Sequence, residues 1–143
     1  MIVLAIDSAK RVKDRGWSVW GNLGLQESGT GRPPQCRVDW VVGERAFFGG
    51  MLKGKSLITF CTNNGFQIRD ANDTPNFGYA ALEVREWKAA CFPGREDAPK
   101  RVFTNLLRRE FAPITNPDQL DAIGIGWGAI RLGPAFLKKR ELK

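Results

Sequence analysis

The chain has 143 residues, of which 43% are hydrophobic and 26% charged, a composition typical of one globular domain with a proper core. Its formal net charge is +7, from 22 lysines and arginines against 15 acidic residues. Such an excess favours a polyanionic partner, of which nucleic acid is the commonest, although many basic proteins bind no special partner. We therefore predict a single domain over residues 1–143.

Histidine is absent from the chain, and this absence excludes several kinds of chemistry. Ser-His-Asp and Cys-His catalysis, HExxH metalloproteases and histidine-dependent nucleases all need an imidazole. Any metal ion must instead be held by oxygen ligands, which favours Mg²⁺ or Mn²⁺.

The three cysteines, Cys36, Cys61 and Cys91, are far apart and form no CxxC pair. This spacing argues against a disulfide framework or a zinc site and favours small core residues. The apolar runs are too short to span a bilayer, and the apolar start, which ends at Asp7, lacks the basic region of a signal peptide. We expect an intracellular, cytoplasmic protein with no membrane partner.

Hydrophobic patterning and turn residues predict an α/β fold with a mixed sheet. The predicted strands are residues 2–6, 17–23, 24–29, 39–43 and 79–84. A first helix is predicted from about residue 51 to 64, and a second follows Asp97 as N-cap with Pro99 just inside it. The last helix is predicted from about residue 118 to 131, where Gly133 and Pro134 end it before a basic tail.

Acidic residues stand at the ends of apolar segments. Asp7, Glu44 and Glu83 each end a predicted strand, while Asp118 and Asp121 lie three residues apart on one face at a helix start. Helix capping and the helix dipole would account for the last two in an isolated helix. Several carboxylates without histidine nevertheless suit hard divalent cations, and two such cations can promote hydrolysis of a phosphodiester.

Three segments resemble the RuvC Holliday junction resolvases, within the RNase H-like superfamily. "IVLAIDSAK" followed by "GWSVWG" resembles the first hairpin of the family, and "NPDQLDAIGIGWGA" resembles its last motif. Between them, "EVREWKAACFPGREDAPKRVFTNLL" is similar to the family's strand, lysine-bearing turn and helix. The resemblance covers nearly the whole chain and is nearest to the short RuvC-like proteins of phages and bacteria. It implies an RNase H-like fold with a mixed five-stranded sheet flanked by helices.

The resemblance implies a metal-binding and catalytic set of Asp7, Glu44, Asp118 and Asp121, with two Mg²⁺ or Mn²⁺ ions. Glu83 lies on the next strand, where the family needs no acid, and is interpreted as solvated or paired. The larger family members have a helix between the third and fourth strands, for which "SGTGRPPQCRVD" is too short.

Basic and aromatic residues near these acids are candidates for DNA contact. Lys88 and Lys100 match positions where the family carries functional basic residues, so Lys88 joins the catalytic set. Phe47 can stack on bases, although a core position for Phe47 or Phe48 is at least as well supported. The first turn is crowded with cations that suit phosphates or a solvated loop: Lys10, Arg11, Lys13 and Arg15.

One motif competes with this interpretation. "GGMLKGKS", residues 49–56, fits the P-loop pattern G-x-x-x-x-G-K-[ST]. No convincing Walker-B aspartate follows, and fewer than about ninety residues remain for an NTPase core. Short RuvC-like proteins show a similar stretch, so we interpret it as a DNA-facing loop with Lys53 and Lys55 as DNA contacts.

The resemblance implies a Mg²⁺-dependent, structure-selective DNA endonuclease that cuts four-way junctions symmetrically to leave a 5′-phosphate and a 3′-hydroxyl. Paired cuts imply a two-fold homodimer in a bacterial or phage-infected cell. Three alternatives stay open: an RNase H-like nuclease acting on flaps, forks or RNA, a P-loop nucleotide-binding protein, and a DNA-binding module without catalysis. The four acids argue against the last, because acids weaken DNA binding unless cations neutralise them.

Overall fold

The computed structural model describes residues 1–7, 11–45 and 77–142. The predicted helix at 51–64, the P-loop-like segment 49–56 and most of the predicted loop at 70–78 lie outside the described residues.

The described strands form a mixed five-stranded sheet in the order β3-β2-β1-β4-β5. β1 is parallel to β4, β4 is parallel to β5, and β2 is antiparallel to both β1 and β3. The expected RNase H-like architecture is confirmed. The strands are β1 (Val3–Ile6), β2 (Gly16–Gly21), β3 (Gly24–Thr30), β4 (Trp40–Glu44) and β5 (Gly78–Leu82).

β1 lies at the centre of the sheet, and all four of its residues are buried. Side chains alternate across a strand, so Val3 and Ala5 face one core and Leu4 and Ile6 face another. A continuous apolar run is what a strand buried on both faces requires. Residues 31–39, between β3 and β4, contain no helix. This confirms the prediction that the segment is too short for one.

Four helices are described after the sheet: α1 (Val84–Cys91), α2 (Lys100–Glu110), α3 (Pro117–Leu132) and α4 (Pro134–Lys139). In the described part of the chain, no helix is long and apolar enough to cross a membrane. α3 packs across β1 and β2 and against α1, so it is the central helix of this face of the sheet.

The lysine-bearing segment after β5 is a helix, so its prediction as a turn was wrong. The strand stops at Leu82, and Glu83 adopts extended backbone as the N-cap of α1. The carboxylate of Glu86 accepts a hydrogen bond from the backbone N–H of Glu83 at 2.8 Å, which satisfies one free donor of the first turn. Val84, Trp87 and Cys91 have helical spacing, and packing of Trp87 against α3 stabilises a helix of only eight residues.

The prediction of Asp97 as the N-cap of α2 was also wrong. Pro99 occupies the cap position, and the Asp97 carboxylate accepts a hydrogen bond from the guanidinium of Arg85 on α1. The exposed acid therefore joins two neighbouring elements instead of capping the helix that follows it.

The basic tail contains a further short helix, α4, that the sequence interpretation missed. Gly133, with φ of 88°, ends α3 in a conformation that favours glycine, and Pro134 begins α4. Leu137 is fully buried, so tertiary packing and not length stabilises this helix. Beyond α4, Arg140 forms hydrogen bonds with Glu86 at 2.6–3.2 Å, and the backbone N–H of Leu142 donates to Tyr79 on β5 at 2.8 Å.

Candidate active site

Two neighbouring parallel strands end in carboxylates at the same edge of the sheet. Ile6 pairs with Gly43, so the next position along brings Asp7 beside Glu44. Asp7 lies two residues beyond Ala5, and Glu44 lies two residues beyond Val42; Ala5 and Val42 both face the core. Because side chains alternate along a strand, both carboxylates project from the face of the sheet that α3 covers. The predicted pairing of Asp7 with a second acidic strand end is thus present in the fold.

The N-terminal turn of α3 brings Asp118 and Asp121 to the same place. Asn116 caps this helix, since its side-chain oxygen accepts a hydrogen bond from the backbone N–H of Gln119 at 3.0 Å. Asp118 is therefore not the cap, and capping does not explain its carboxylate. Glycine at position 16 permits the close approach, because a Cβ there would overlap the backbone carbonyl of Asp118.

The four carboxylates line one cavity of about 250 Å³. Asp7 is the most enclosed of them, at 5% exposure, and shares a side-chain hydrogen bond with Asp118. The complete lining is Asp7, Glu44, Val84, Trp87, Lys88, Lys100, Phe103, Thr104, Asp118 and Asp121.

Burial and mutual repulsion favour the protonated forms of two of these acids. Burial, followed by the charges of Asp121 and Glu44, raises the pKa of Asp7 from an ordinary 3.8 to about 8. Burial also raises the pKa of Asp121, to about 6, although the nearby cation of Lys100 acts in the opposite direction. Acids that repel each other so strongly ionise together only when cations neutralise them.

Two lysines complete the cavity on the side of α1 and α2. The Lys88 ammonium lies 5.0 Å from the ring centre of Phe103 and 5.8 Å from that of Trp87, both cation–π distances. These contacts hold Lys88 beside the carboxylates. Lys100 stands at the start of α2, on the rim of the same cavity.

The chemistry of the donors fits a hard divalent cation. All four candidate ligands are carboxylates, which suit Mg²⁺ or Mn²⁺, and burial and mutual repulsion raise the pKa values of Asp7 and Asp121. Within the described ranges, however, no three histidine, cysteine or acidic side chains are already spaced to hold a metal ion. The chemical type of the four side chains and their convergence on one cavity therefore favour a divalent cation. Their present spacing does not form a coordination site.

The structure places the other predicted residues as follows. Glu83 is absent from the cavity lining, is exposed and pairs with Arg45 at 3.4 Å. Arg11 is exposed before a short 3-10 helix, Val12–Asp14, and does not line the cavity. The predicted DNA contacts outside the described residues are Lys10, Phe47, Lys53 and Lys55.

Sequence reasoning missed the wall of the cavity. Val84 and Trp87 reach it from α1, and Phe103 and Thr104 reach it from α2. The helical spacing of Val84, Trp87 and Cys91 was the available signal for the first pair. Phe103 belongs to the apolar core and Thr104 is the buried polar residue next to it, and the orientation of both toward the acids depends on tertiary packing.

Comparison with solved structures agrees with this architecture, while no protein-family model and no curated protein sequence matches the chain. A RuvC structure from Thermus thermophilus superimposes with a TM-score of 0.56 and 17% sequence identity, covering 99% of this chain and 100% of the other. T. thermophilus RuvC in complex with a Holliday junction substrate gives a TM-score of 0.56 and 16% identity, covering 99% of each chain. This chain therefore has a RuvC-like fold, a form of the RNase H-like fold.

Proposed function

We propose that the chain is a Mg²⁺- or Mn²⁺-dependent, structure-selective endodeoxyribonuclease that resolves Holliday junctions by paired symmetric cuts. The observation that carries the proposal is the convergence of four carboxylates from β1, β4 and α3 in one cavity beside two lysines. The RuvC-like fold supports it, as does the similarity to a RuvC bound to a Holliday junction substrate.

Asp7, Glu44, Asp118 and Asp121 would hold the divalent ions. The bound ions would supply a nucleophile from water at neutral pH and stabilise the leaving oxygen of the phosphodiester. The carboxylates keep a phosphate out until their charge is neutralised, so cation binding and substrate binding are coupled. Lys88, held by its aromatic neighbours, is placed to offset negative charge that develops on the phosphate. Lys100 would contact the phosphate backbone at the rim.

We further propose one nuclease domain over residues 1–143, acting as a two-fold homodimer in the cytoplasm. A four-way junction has two equivalent strands to cut, and two active sites related by a two-fold axis match that symmetry. The additional DNA contacts we propose are Lys10, Arg11, Phe47, Lys53 and Lys55.

A cleavage panel tests the proposal. Labelled four-way junction, three-way junction, flap, fork, linear duplex and RNA–DNA hybrid would be incubated with Mg²⁺, Mn²⁺ or EDTA. We expect paired cuts in the four-way junction with either metal and none in EDTA. If flaps, forks or RNA were cut preferentially, that substrate would take the place of the four-way junction in the proposed function. Cleavage in EDTA would overturn the metal-dependent mechanism.

A further inference from the structure

The helix α2 has two faces of opposite character. Phe103, Thr104 and Leu107 are buried against the rest of the domain. At 100° per residue one side of the exposed surface carries Arg101, Asn105, Arg108 and Arg109, which we call the α2 stripe, and the exposed Val102 lies beside it. Three of its members are exposed, and Arg108 is half-buried. The stripe starts beside Lys100, which lines the acidic cavity.

Some surface cations in the described part of the chain pair with acids, and the cations of the α2 stripe do not. In the part of the chain that the structure describes, Arg45, Arg85, Lys138 and Arg140 each form an ion pair with an acid. No arginine of the α2 stripe does so within the same described ranges, although Arg108 donates to neutral oxygens: the Asn105 side chain at 2.8 Å and the Thr115 carbonyl at 3.3 Å.

Helix stability does not explain this arrangement of charge. Cations in a last turn are favourable to the helix dipole, which accounts for Arg108 and Arg109 in part. Lys100 and Arg101, however, stand in the first turn, where a cation faces the positive end of the dipole and no acid accompanies them. The first-turn cations Lys100 and Arg101 are unfavourable to their own helix and therefore favour an anionic partner outside the chain.

We propose that the α2 stripe binds the phosphate backbone of a DNA duplex arm leading away from the cavity. The inference rests on the proposed nuclease function and adds the path of one arm to it. Arg101 and Arg109 lie about 12 Å apart along the helix axis at about 1.5 Å per residue. The two guanidinium groups are therefore far enough apart to contact different phosphates of one strand. A second copy of the chain is a poorer occupant, because each copy carries a net charge of +7.

The test is a comparison of two double variants that remove equal charge. Arg101→Gln/Arg109→Gln alters the stripe, and Arg131→Gln/Lys139→Gln alters the far end of α3 and α4. Binding to a fluorescent four-way junction would be followed by anisotropy in EDTA, between about 50 and 200 mM salt. We expect the stripe variant to bind about tenfold more weakly. Its log–log salt slope should fall by about 2, because each phosphate that the protein no longer neutralises lowers the slope by roughly 0.9.

One control isolates the charge. Arg101→Lys/Arg109→Lys keeps both charges and should bind the junction like the wild type, which also shows that changes here leave the fold intact. Equal loss of affinity in the stripe and α3–α4 variants, or no loss in the stripe variant, would each overturn the proposal.

A cleavage measurement separates this proposal from the function on which it rests. At saturating protein, the glutamine stripe variant should cut at the wild-type single-turnover rate, because the stripe affects binding alone. A slower rate with unchanged binding would overturn the arm-binding role. If the wild type shows stripe-dependent binding but no cleavage, the nuclease function fails and the α2 stripe remains a DNA-binding surface.

Discussion

At the scale of single residues, each cavity carboxylate can be replaced by its amide. We expect Asp7→Asn, Glu44→Gln, Asp118→Asn and Asp121→Asn to reduce cleavage by at least about a hundredfold while junction binding and folding persist, because each variant would lack the charge of one ligand oxygen. Gel assays of cleavage and anisotropy of binding check both statements.

Glu83→Gln is the matched control for this series. Its carboxylate is exposed, is absent from the cavity lining and pairs with the exposed Arg45, so the variant should stay active and nearly as stable. An inactive Glu83→Gln together with an active Glu44→Gln would reverse the assignment of the second acid.

The raised pKa of Asp7 predicts how stability depends on pH when no divalent cation is present. Its folded-state pKa of about 8 lies above the ordinary 3.8, so the folded protein binds more protons than the unfolded protein across that interval. The contribution of Asp7 to stability is therefore greatest at the acidic end of this interval and is lost as pH rises toward 8. Asp121, with a pKa of about 6, adds to the same trend in the lower part of the interval.

Urea unfolding in EDTA at several pH values measures this effect. Asp7→Asn should flatten the decline and stabilise the protein at pH 8 by about 1–3 kcal/mol. Mg²⁺ should raise the melting temperature of the wild type more at pH 8 than at pH 6. If Asp7→Asn left the pH dependence of the free energy of unfolding unchanged, burial and repulsion at Asp7 would not cause the decline.

At the scale of elements, the first turn of α3 depends on its cap. Asn116→Ala should cost about 1 kcal/mol and fray the turn that carries Asp118, so cleavage should fall more than junction binding. Asn116→Ser keeps a capping oxygen and should restore both. Thermal unfolding and single-turnover cleavage provide the two measurements, and equal behaviour of the alanine and serine variants would show that the cap does not position Asp118.

At the scale of the whole molecule, the active species should be a homodimer selective for branched DNA. Any basic protein binds duplex through phosphates with steep salt dependence, so junction selectivity must come from two active sites at a fixed separation. Light scattering should give about twice the chain mass of 16.0 kDa at concentrations where cleavage occurs. Rising salt should remove linear-duplex binding before junction binding. If a strict monomer cut junction and linear duplex equally, the resolvase proposal would fail and only a general RNase H-like nuclease activity would remain.

The P-loop-like segment gives a second prediction at this scale. ATP should neither bind at micromolar concentration nor be required for cleavage, because the proposed metal-dependent mechanism uses the carboxylates of the acidic cavity and needs no nucleotide. Lys55→Ala should weaken DNA binding modestly. ATP hydrolysis that Lys55→Ala abolishes would favour the nucleotide-binding alternative.

The order of the strands and the identities of the acids were readable from sequence, because they are encoded locally. The apolar run at residues 2–6, the hairpin after it and the α3 pattern appear where expected. Asp7 and Glu44 were recognisable as strand ends, and Asp118 and Asp121 as a helical pair. The resemblance predicted that these four, without Glu83, share a site, and the fold brings the same four to one cavity.

Only the tertiary structure decided which groups meet and with what electrostatic consequence. Whether an acid at a strand end is solvated or buried depends on what packs over it: α3 covers Asp7, while Glu83 begins α1 in solvent. Short helices such as α1 and α4 are stabilised by distant contacts, which local propensity does not contain. The raised pKa values arise for the same reason, since desolvation and repulsion are sums over residues far apart in the chain and adjacent in the fold.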